Sequence, residues 1–312
     1  MTYETNFGGY VASKVQSALG TAATGTGATM LRLTGGTMGK LSKAAIDSKE
    51  IHADAQHTRG RHGMQTATGA YTTEFSAGSV DNIIEAVMRG TWDITTNILI
   101  NPAASALVNR YFTIEEYESD IGASRVFKDC FWKSMKLSMS PNGLIMFDPA
   151  WVGSGSMTVN TGAATLTTPT LATSAPMAAL DATLSLNGSA VLDIVSFDIN
   201  IDNGAVAPQV VGSKISPTVL PGLNQVSMNI TVLQKDMSYI SAHLGETGYA
   251  LSLLATDGTN NMHIDVPYFT LGSADISPMS TAGGSRTVTL QIPTALVGRD
   301  PATGTMVKFT RV

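Results

Sequence analysis

Between Tyr71 and Gly90 the hydrophobic period changes from two to that of a helix. Tyr71, Thr73 and Phe75 alternate with Thr72 and Glu74, the pattern of a half-buried strand. Ser76 to Gly78 break it. Ser79 stands where a helix N-cap is expected, and Asp81 falls in the first turn, where the helix dipole favours negative charge. Val80, Ile83, Ile84, Val87 and Met88 then follow as one apolar stripe, and Gly90 offers a left-handed stop. The spacing predicts a strand, a turn and a short helix whose stripe is core against a sheet.

The same switch recurs later. Met228, Ile230 and Val232 alternate, Asp236 stands in the N-cap place, and Met237, Ile240 and Leu244 form a second helical stripe ended by Gly245 or Gly248. A constant offset of 157 carries Phe75 onto Val232, Ser79 onto Asp236, Ile83 onto Ile240 and Val87 onto Leu244. After each helix comes a strand (Tyr111–Glu116; Tyr249–Leu254), a polar gap and a longer strand pair. Few identities accompany the match, so the inferred internal duplication rests on pattern.

Elsewhere the signals are uneven. Residues 1–29 are rich in Gly, Ala and Thr, punctuated by Tyr3, Phe7 and Tyr10. Val11, Val15 and Leu19 suggest one amphipathic turn, and this arm is expected to order against a neighbour. Met30–Thr34 begins a strand stopped by Gly35 and Gly36. Residues 37–70 hold no sustained period and are read as a long functional loop. Trp92–Ile100 is strand-like through Ile94, Ile98 and Ile100. Phe131–Met139 and Leu144–Phe147 form a hairpin about Ser140–Gly143. Residues 153–179 carry no charge and are read as a linker containing one strand. Ala182–Leu186 and Val191–Ile201 follow, the second ending in the Asn203-Gly204 turn. The predicted organisation is an arm (1–29), a domain (30–152), the linker (153–179) and a second domain (180–312), mainly β, each domain with one flanking helix.

Composition changes this picture in one respect. Charged residues make up 14% of the 312, against about 25% in ordinary soluble domains. Either other subunits cover much of the surface, or the surface is merely polar and neutral. The net charge of −5 gives no support to sequence-specific nucleic-acid binding. A lone Cys130 rules out an intramolecular disulfide. The first residues hold no apolar signal region, and Leu144–Phe147 is the longest run of large apolar residues. A soluble product, made in the cytoplasm and with no membrane span, is expected.

Candidate chemistry is sparse. His52, His57 and His62 recur every five residues, a spacing no regular element brings to one face, and they are read as solvated loop residues with no metal. Glu115 and Glu116 are adjacent and point to opposite faces of a strand, so they cannot act as a paired acid and base. Gly25-Thr26-Gly27 lacks the flanking strand and helix of a phosphate loop, and Gly153-Ser154-Gly155-Ser156-Met157 lacks the last glycine of a nucleophile elbow. No enzyme activity and no cofactor are expected. Lys40, Lys43, Lys49, Glu50, Arg59 and Arg61 mix both signs in the long loop without interleaved aromatics, which suits a protein contact held in register by charge.

One stretch is distinctive. Ser48-Lys49-Glu50-Ile51, then Gly78-Ser79-Val80-Asp81, then Gly90-Thr91-Trp92 resemble the tail tube (major tail) proteins of long, non-contractile-tailed bacteriophages, in which a Ser-x-Glu-Ile loop precedes a strand, a Gly-Ser-x-Asp helix start and a Gly-Thr-Trp end. Val195–Gly204 also looks like a family feature. The resemblance covers most of residues 30–300 and is specific over 48–92. It implies a β-sandwich or barrel with a flanking helix, its sheets joining between subunits in stacked rings around a lumen that conducts DNA at infection; the duplication makes it two such domains in tandem. The long loop would reach the next ring. Implied partners are further copies of the chain, tail tip or baseplate, tape-measure and terminator proteins, in a virion tail assembled in the host cytoplasm. With the duplication, three chains would close a ring that imitates six. The competing reading is a baseplate, distal tail or carbohydrate-binding β-module at the host surface.

Overall fold

The computed structural model describes residues 8–280 and 284–312, so Tyr3 and Phe7 of the arm lie outside the described residues. In chain order the elements are β1 (Gly9–Val15), β2 (Thr29–Met30), β3 (Leu33–Ile46), β4 (Arg61–Glu74), α1 (Asp81–Met88), β5 (Ile98–Ile100), β6 (Phe112–Glu118), β7 (Ala123–Met139), β8 (Met146–Thr161) and β9 (Thr170–Leu171). There follow β10 (Thr183–Leu186), β11 (Ser189–Ala190), β12 (Ile194–Asp202), β13 (Gln225–Leu233), α2 (Ser238–Leu244), β14 (Gly248–Thr256), β15 (Asn261–Thr270), β16 (Ser273–Ile276), β17 (Thr287–Ile292) and β18 (Lys308–Arg311). The fold is mainly β, as predicted.

Among the described residues these strands make a 12-stranded and a 6-stranded sheet, both open. Neither closes into a barrel. β7 organises the larger one. Along one edge it pairs with β8; along the other it takes β6 opposite Ala123–Cys130 and then β12 opposite Ser134–Met139. Its register shifts at Lys128/Cys130 and at Trp132/Ser134, and Asp129 takes a left-handed φ of 55° in the first of these bulges. A bulge bends and twists a strand, which is how one backbone can serve two partners end to end.

The smaller sheet runs β11-β10-β14-β15-β18-β5 and lies against the β12 end of the larger one. Phe75, Met135, Leu137, Phe147, Ile199 and Ile201 of the larger sheet meet Ile264 and Phe309 of the smaller. These side chains alternate along their strands with polar neighbours. Burying each large one contributes about 1.5–3 kcal/mol. The stretches on either side of 153–179 share both sheets, because β12 pairs β7 and β18 pairs β5. Residues 153–161, expected in the linker, are the second part of β8.

Four local expectations are corrected. Residues 37–70 are not one loop: β3 and β4 form a long hairpin around a connection at 47–60. Its period is invisible in sequence because most of β3 is exposed and register shifts break the alternation. Val11 and Val15, expected with Leu19 in an amphipathic turn, instead lie in a strand (residues 9–15) paired with β6 along its length, with Val11 and Ala12 fully buried, so this part of the arm orders within its own chain. The α1 cap is not Ser79: Val80 precedes the helix, Ser79 Oγ donates to Ser76 O at 2.8 Å, and Arg89 rather than Gly90 takes the left-handed position. Ile94 is not in a strand and is 94% exposed.

The two helical stripes also differ. Val80, Ile83, Ile84, Val87 and Met88 are all buried. In α2 no residue is buried, Ile240 is half-buried, and Met237 and Leu244 are 57% and 79% exposed. Within a single chain the second stripe is not core. The physical reason is what lies over each helix: Asn203 and Asn224 donate to Val87 O and Met88 O at 3.4 Å each, and Arg311 reaches Asp81 while stacking 4.0 Å above Trp92. α2 packs on the core through Tyr239 and Ala242 and bonds Leu271 O through His243, and among the described residues nothing covers Met237 and Leu244 in this way.

A candidate assembly surface

No helix among the described residues is long and apolar enough to cross a membrane, and no three metal-ligating side chains among them cluster; three surface features of the sheets stand out.

The first is the outer face of the larger sheet. Where Met135, Leu137 and Met139 point inward, Ser134, Lys136 and Ser138 point outward, and the same alternation runs through β12, β13 and β17. Glu74, Asp148, Asp198, Asp202 and Asp275 lie on this outer face against Lys136, which sits 3.9 Å from Asp198 Oδ1. Asn229 Nδ2 donates to the same oxygen at 3.1 Å. This part of the face is polar and acidic; further along it Lys40 adds a second positive charge, and Phe131 and Val152 are covered by Ala205 and Val219.

The second feature is two open edges of the larger sheet: β3 pairs only β4 and β16 only β17, while among the described residues the short β5, β9 and β11 also keep one partner each. Thr34 to Met38 are exposed along the first, and Asp275 on the second. An exposed strand edge presents a row of unpaired N–H and C=O groups that templates further pairing.

The third is the β3–β4 hairpin itself. Lys40 and Lys43 lie on β3, Arg61 begins β4, and Lys49, Glu50 and Arg59 lie in the connection; all six are exposed. They are spread along the projection rather than gathered at a point. Glu50 accepts from Thr58 Oγ1 at 3.0 Å and stands 3.4 Å from His52 Nε2, which ties the connection to itself. Ile51 at its tip is 96% exposed. Asp47, Arg59, Arg61, His62 and Lys214 line a groove of about 770 Å³ at the loop end of the hairpin. His52, His57 and His62 do not converge.

What holds the hairpin root is a feature that sequence reading dismissed. Glu115 and Glu116 are both fully buried, on opposite faces as expected. Glu115 accepts from Ser124 Oγ at 2.7 Å and from the N–H groups of Thr165 and Leu166 at 2.8 and 2.6 Å. Glu116 accepts from Tyr71 OH at 2.8 Å and Gly39 N–H at 2.5 Å, and pairs with Arg125 at 3.1 Å. Burial pushes the Glu116 carboxyl up, while the Gly39 N–H, Tyr71 hydroxyl and Arg125 guanidinium pull it back. The same burial, reinforced by the Glu116 charge, raises the Tyr71 phenol well above its usual range. Gly39 is the buried point of an otherwise exposed stretch, and a Cβ there would lie 2.7 Å from Phe127 and 2.9 Å from Trp151. Adjacent acids were read only as pointing to opposite faces of a strand, and nothing in the sequence marked them as anchors.

Tyr71→Phe therefore removes one donor from a buried carboxylate. We expect a loss of about 1–3 kcal/mol, seen as a lower urea midpoint with unchanged m-value. An unchanged midpoint would remove Glu116 as the anchor of β3.

No curated protein sequence matches the chain. A family model does, over residues 7–299, and its description is phage tail tube protein. That span takes in the acidic face, the β3 and β16 edges and the hairpin. The chain belongs to the phage tail tube proteins, the structural proteins from which the tube of a phage tail is built.

Proposed function

We propose that this protein polymerises into stacked rings forming a hollow tail tube, that three chains close each ring with pseudo-sixfold symmetry, and that DNA leaves through the lumen at infection. The observation that carries the reading is a doubled pairing scheme. The pairs β3·β4, β4·β8, β6·β7 and β1·β6 have counterparts in β12·β13, β13·β17, β14·β15 and β10·β14. β7 corresponds to β15 plus β16, and β8 to β17 plus β18. α1 and α2 follow β4 and β13 at the same offset. Two tandem tube-type domains per chain fit this doubling, and a head-to-tail contact whose rotation closes then needs half as many chains per ring.

The acidic part of the larger sheet's outer face supports its assignment to the lumen, because a polyanion slides past a like-charged wall and does not exchange counterions with it. The β3–β4 hairpin, with Lys40, Lys43, Lys49, Glu50, Arg59 and Arg61, is assigned to contact between rings. At the tube ends the same surfaces would meet tip or baseplate and terminator proteins, and the lumen a tape-measure protein, during assembly in the host cytoplasm.

Purified protein is expected to form hollow fibres in negative stain, with three chains per ring from mass per length and ring spacing. Fibres with six chains per ring would overturn the trimer. A particle carrying only a few copies would favour a distal tail or baseplate component.

A further inference from the structure

The joint between β7 and β12 is a contact made once inside the chain, with the surfaces for a second instance left open along β3 and β16. Inside the chain Asp198 lies opposite Ser138, Ile199 opposite Leu137 and Asn200 opposite Lys136, antiparallel. The counterpart of β12 is β3, and the counterpart of the second part of β7 is β16.

The correspondence can be carried to single residues through cross-strand partners. The buried Tyr71 and Thr73 of β4 match the buried Met228 and Ile230 of β13, since 71 + 157 = 228 and 73 + 157 = 230. Tyr71 pairs Gly36 and Met228 pairs Ile199, so Gly36 stands for Ile199; likewise Thr37 stands for Asn200 and Gly35 for Asp198. On the other side, Thr73 pairs Phe147 and Ile230 pairs Leu290. Phe147 pairs Leu137 and Leu290 pairs Ala274, so Ala274 stands for Leu137, Ser273 for Lys136 and Asp275 for Ser138.

We propose that the β3 edge of one copy pairs antiparallel with the β16 edge of the next, with Gly35 opposite Asp275, Gly36 opposite Ala274 and Thr37 opposite Ser273. This deepens the ring reading above and rests on it. The occupant is a second copy because the mating edge belongs to the same chain and the chain already displays the contact in its own interior. A second observation points the same way. Residues leading out of β12 cover the end of α1, where Asn203 and Asn224 hold Val87 O and Met88 O. At the matching end of α2, His243 Nδ1 lies 3.0 Å from Leu271 O, but no asparagine among the described residues holds its last carbonyls and Leu244 is 79% exposed. A neighbour's β3, seated on β16, brings its continuation beyond Gly39 toward that end and covers it.

The register is testable by disulfide trapping in assembled protein. Thr37 and Ser273 occupy the outer-face positions of Asn200 and Lys136, and the native Cys130 is fully buried and does not compete. Gly35 has open space around its Cβ position, so Gly35→Cys with Asp275→Cys is a second pair that the fold tolerates. Mild oxidation of T37C/S273C or G35C/D275C fibres is expected to give a reducible ladder of linked chains that stops at the number per ring. The diagonal pair T37C/D275C places its Cα atoms ~7–8 Å apart, at or past the edge of disulfide reach, and should link at least about tenfold less. Hollow fibres in which neither matched pair links would overturn this inference while leaving the tube reading intact. Equal linking of matched and diagonal pairs would overturn the register. A matched-pair ladder from protein that makes no hollow fibres would uphold the edge contact and count against the tube.

Discussion

Trp132→Ala is expected to be the most damaging single truncation, at about 3–5 kcal/mol. Trp132 is fully buried in β7, lies opposite Trp151 of β8, and meets Tyr71 and Phe112 edge-on at ring-centroid distances of 6.3 and 6.1 Å. Its backbone carbonyl also accepts from Asn203 Nδ2 at 2.9 Å. It sits beside the bulge where β7 passes from β6 to β12, so the void opens where the two parts of the larger sheet meet. Loss of such a side chain removes its transfer energy and leaves a cavity that rigid strands cannot fill. For a chain of this size the melting temperature should fall by roughly 10 °C. Calorimetry on unassembled protein checks this, and a fall of one or two degrees would mean that the ring is peripheral to the core.

The second large effect is on assembly. Replacing residues 47–60 by an Asn-Gly turn should leave the fold unchanged, because the connection is exposed and its bonds are mostly to itself. Asn-Gly suits a two-residue hairpin turn. Fibre growth, in contrast, should fall about tenfold or more, equivalent to at least ~1.4 kcal/mol per ring contact. The intact protein should also grow more slowly as salt rises, since exposed charges steer association. Light scattering against ionic strength reads both. Normal fibres from the shortened protein would move ring adhesion elsewhere.

How far the sequence foretold this structure varies by element, and the differences have causes. The β7–β8 hairpin was legible because one face is buried along most of its length and Ser140–Gly143 is strong turn chemistry. β3 and the first part of β4 were not, because most of β3 is exposed, and a strand without a buried face has no hydrophobic period to read. The stripe of α2 was read correctly as apolar and wrongly as internal: amphipathicity shows that a face needs covering, not which molecule covers it. The pairing of β5 with β18, and of Arg311 with Asp81, joins residues so distant in the chain that no local pattern encodes them. Glu115 and Glu116 were judged for catalysis and set aside, when their burial makes them anchors. The run from Ser48 to Trp92 was the part of the sequence that pointed at the family, and it did so as a motif rather than through periodicity.

The cover over α1 has a temporal consequence. Arg311 lies 230 residues beyond Asp81, and β18 must pair with both β15 and β5 before it can bring that guanidinium into place. Contacts this far apart in sequence are slow to close, because the loop entropy is spent before the contact returns anything. A ribosome adding ~5–20 residues per second needs upwards of ten seconds to travel from Asp81 to Arg311. Throughout that interval the early helix lacks its lid, and the two ends of the smaller sheet cannot meet. Synthesis thus carries its own delay: the early helix waits for its cover until Arg311, 230 residues further on, has been made.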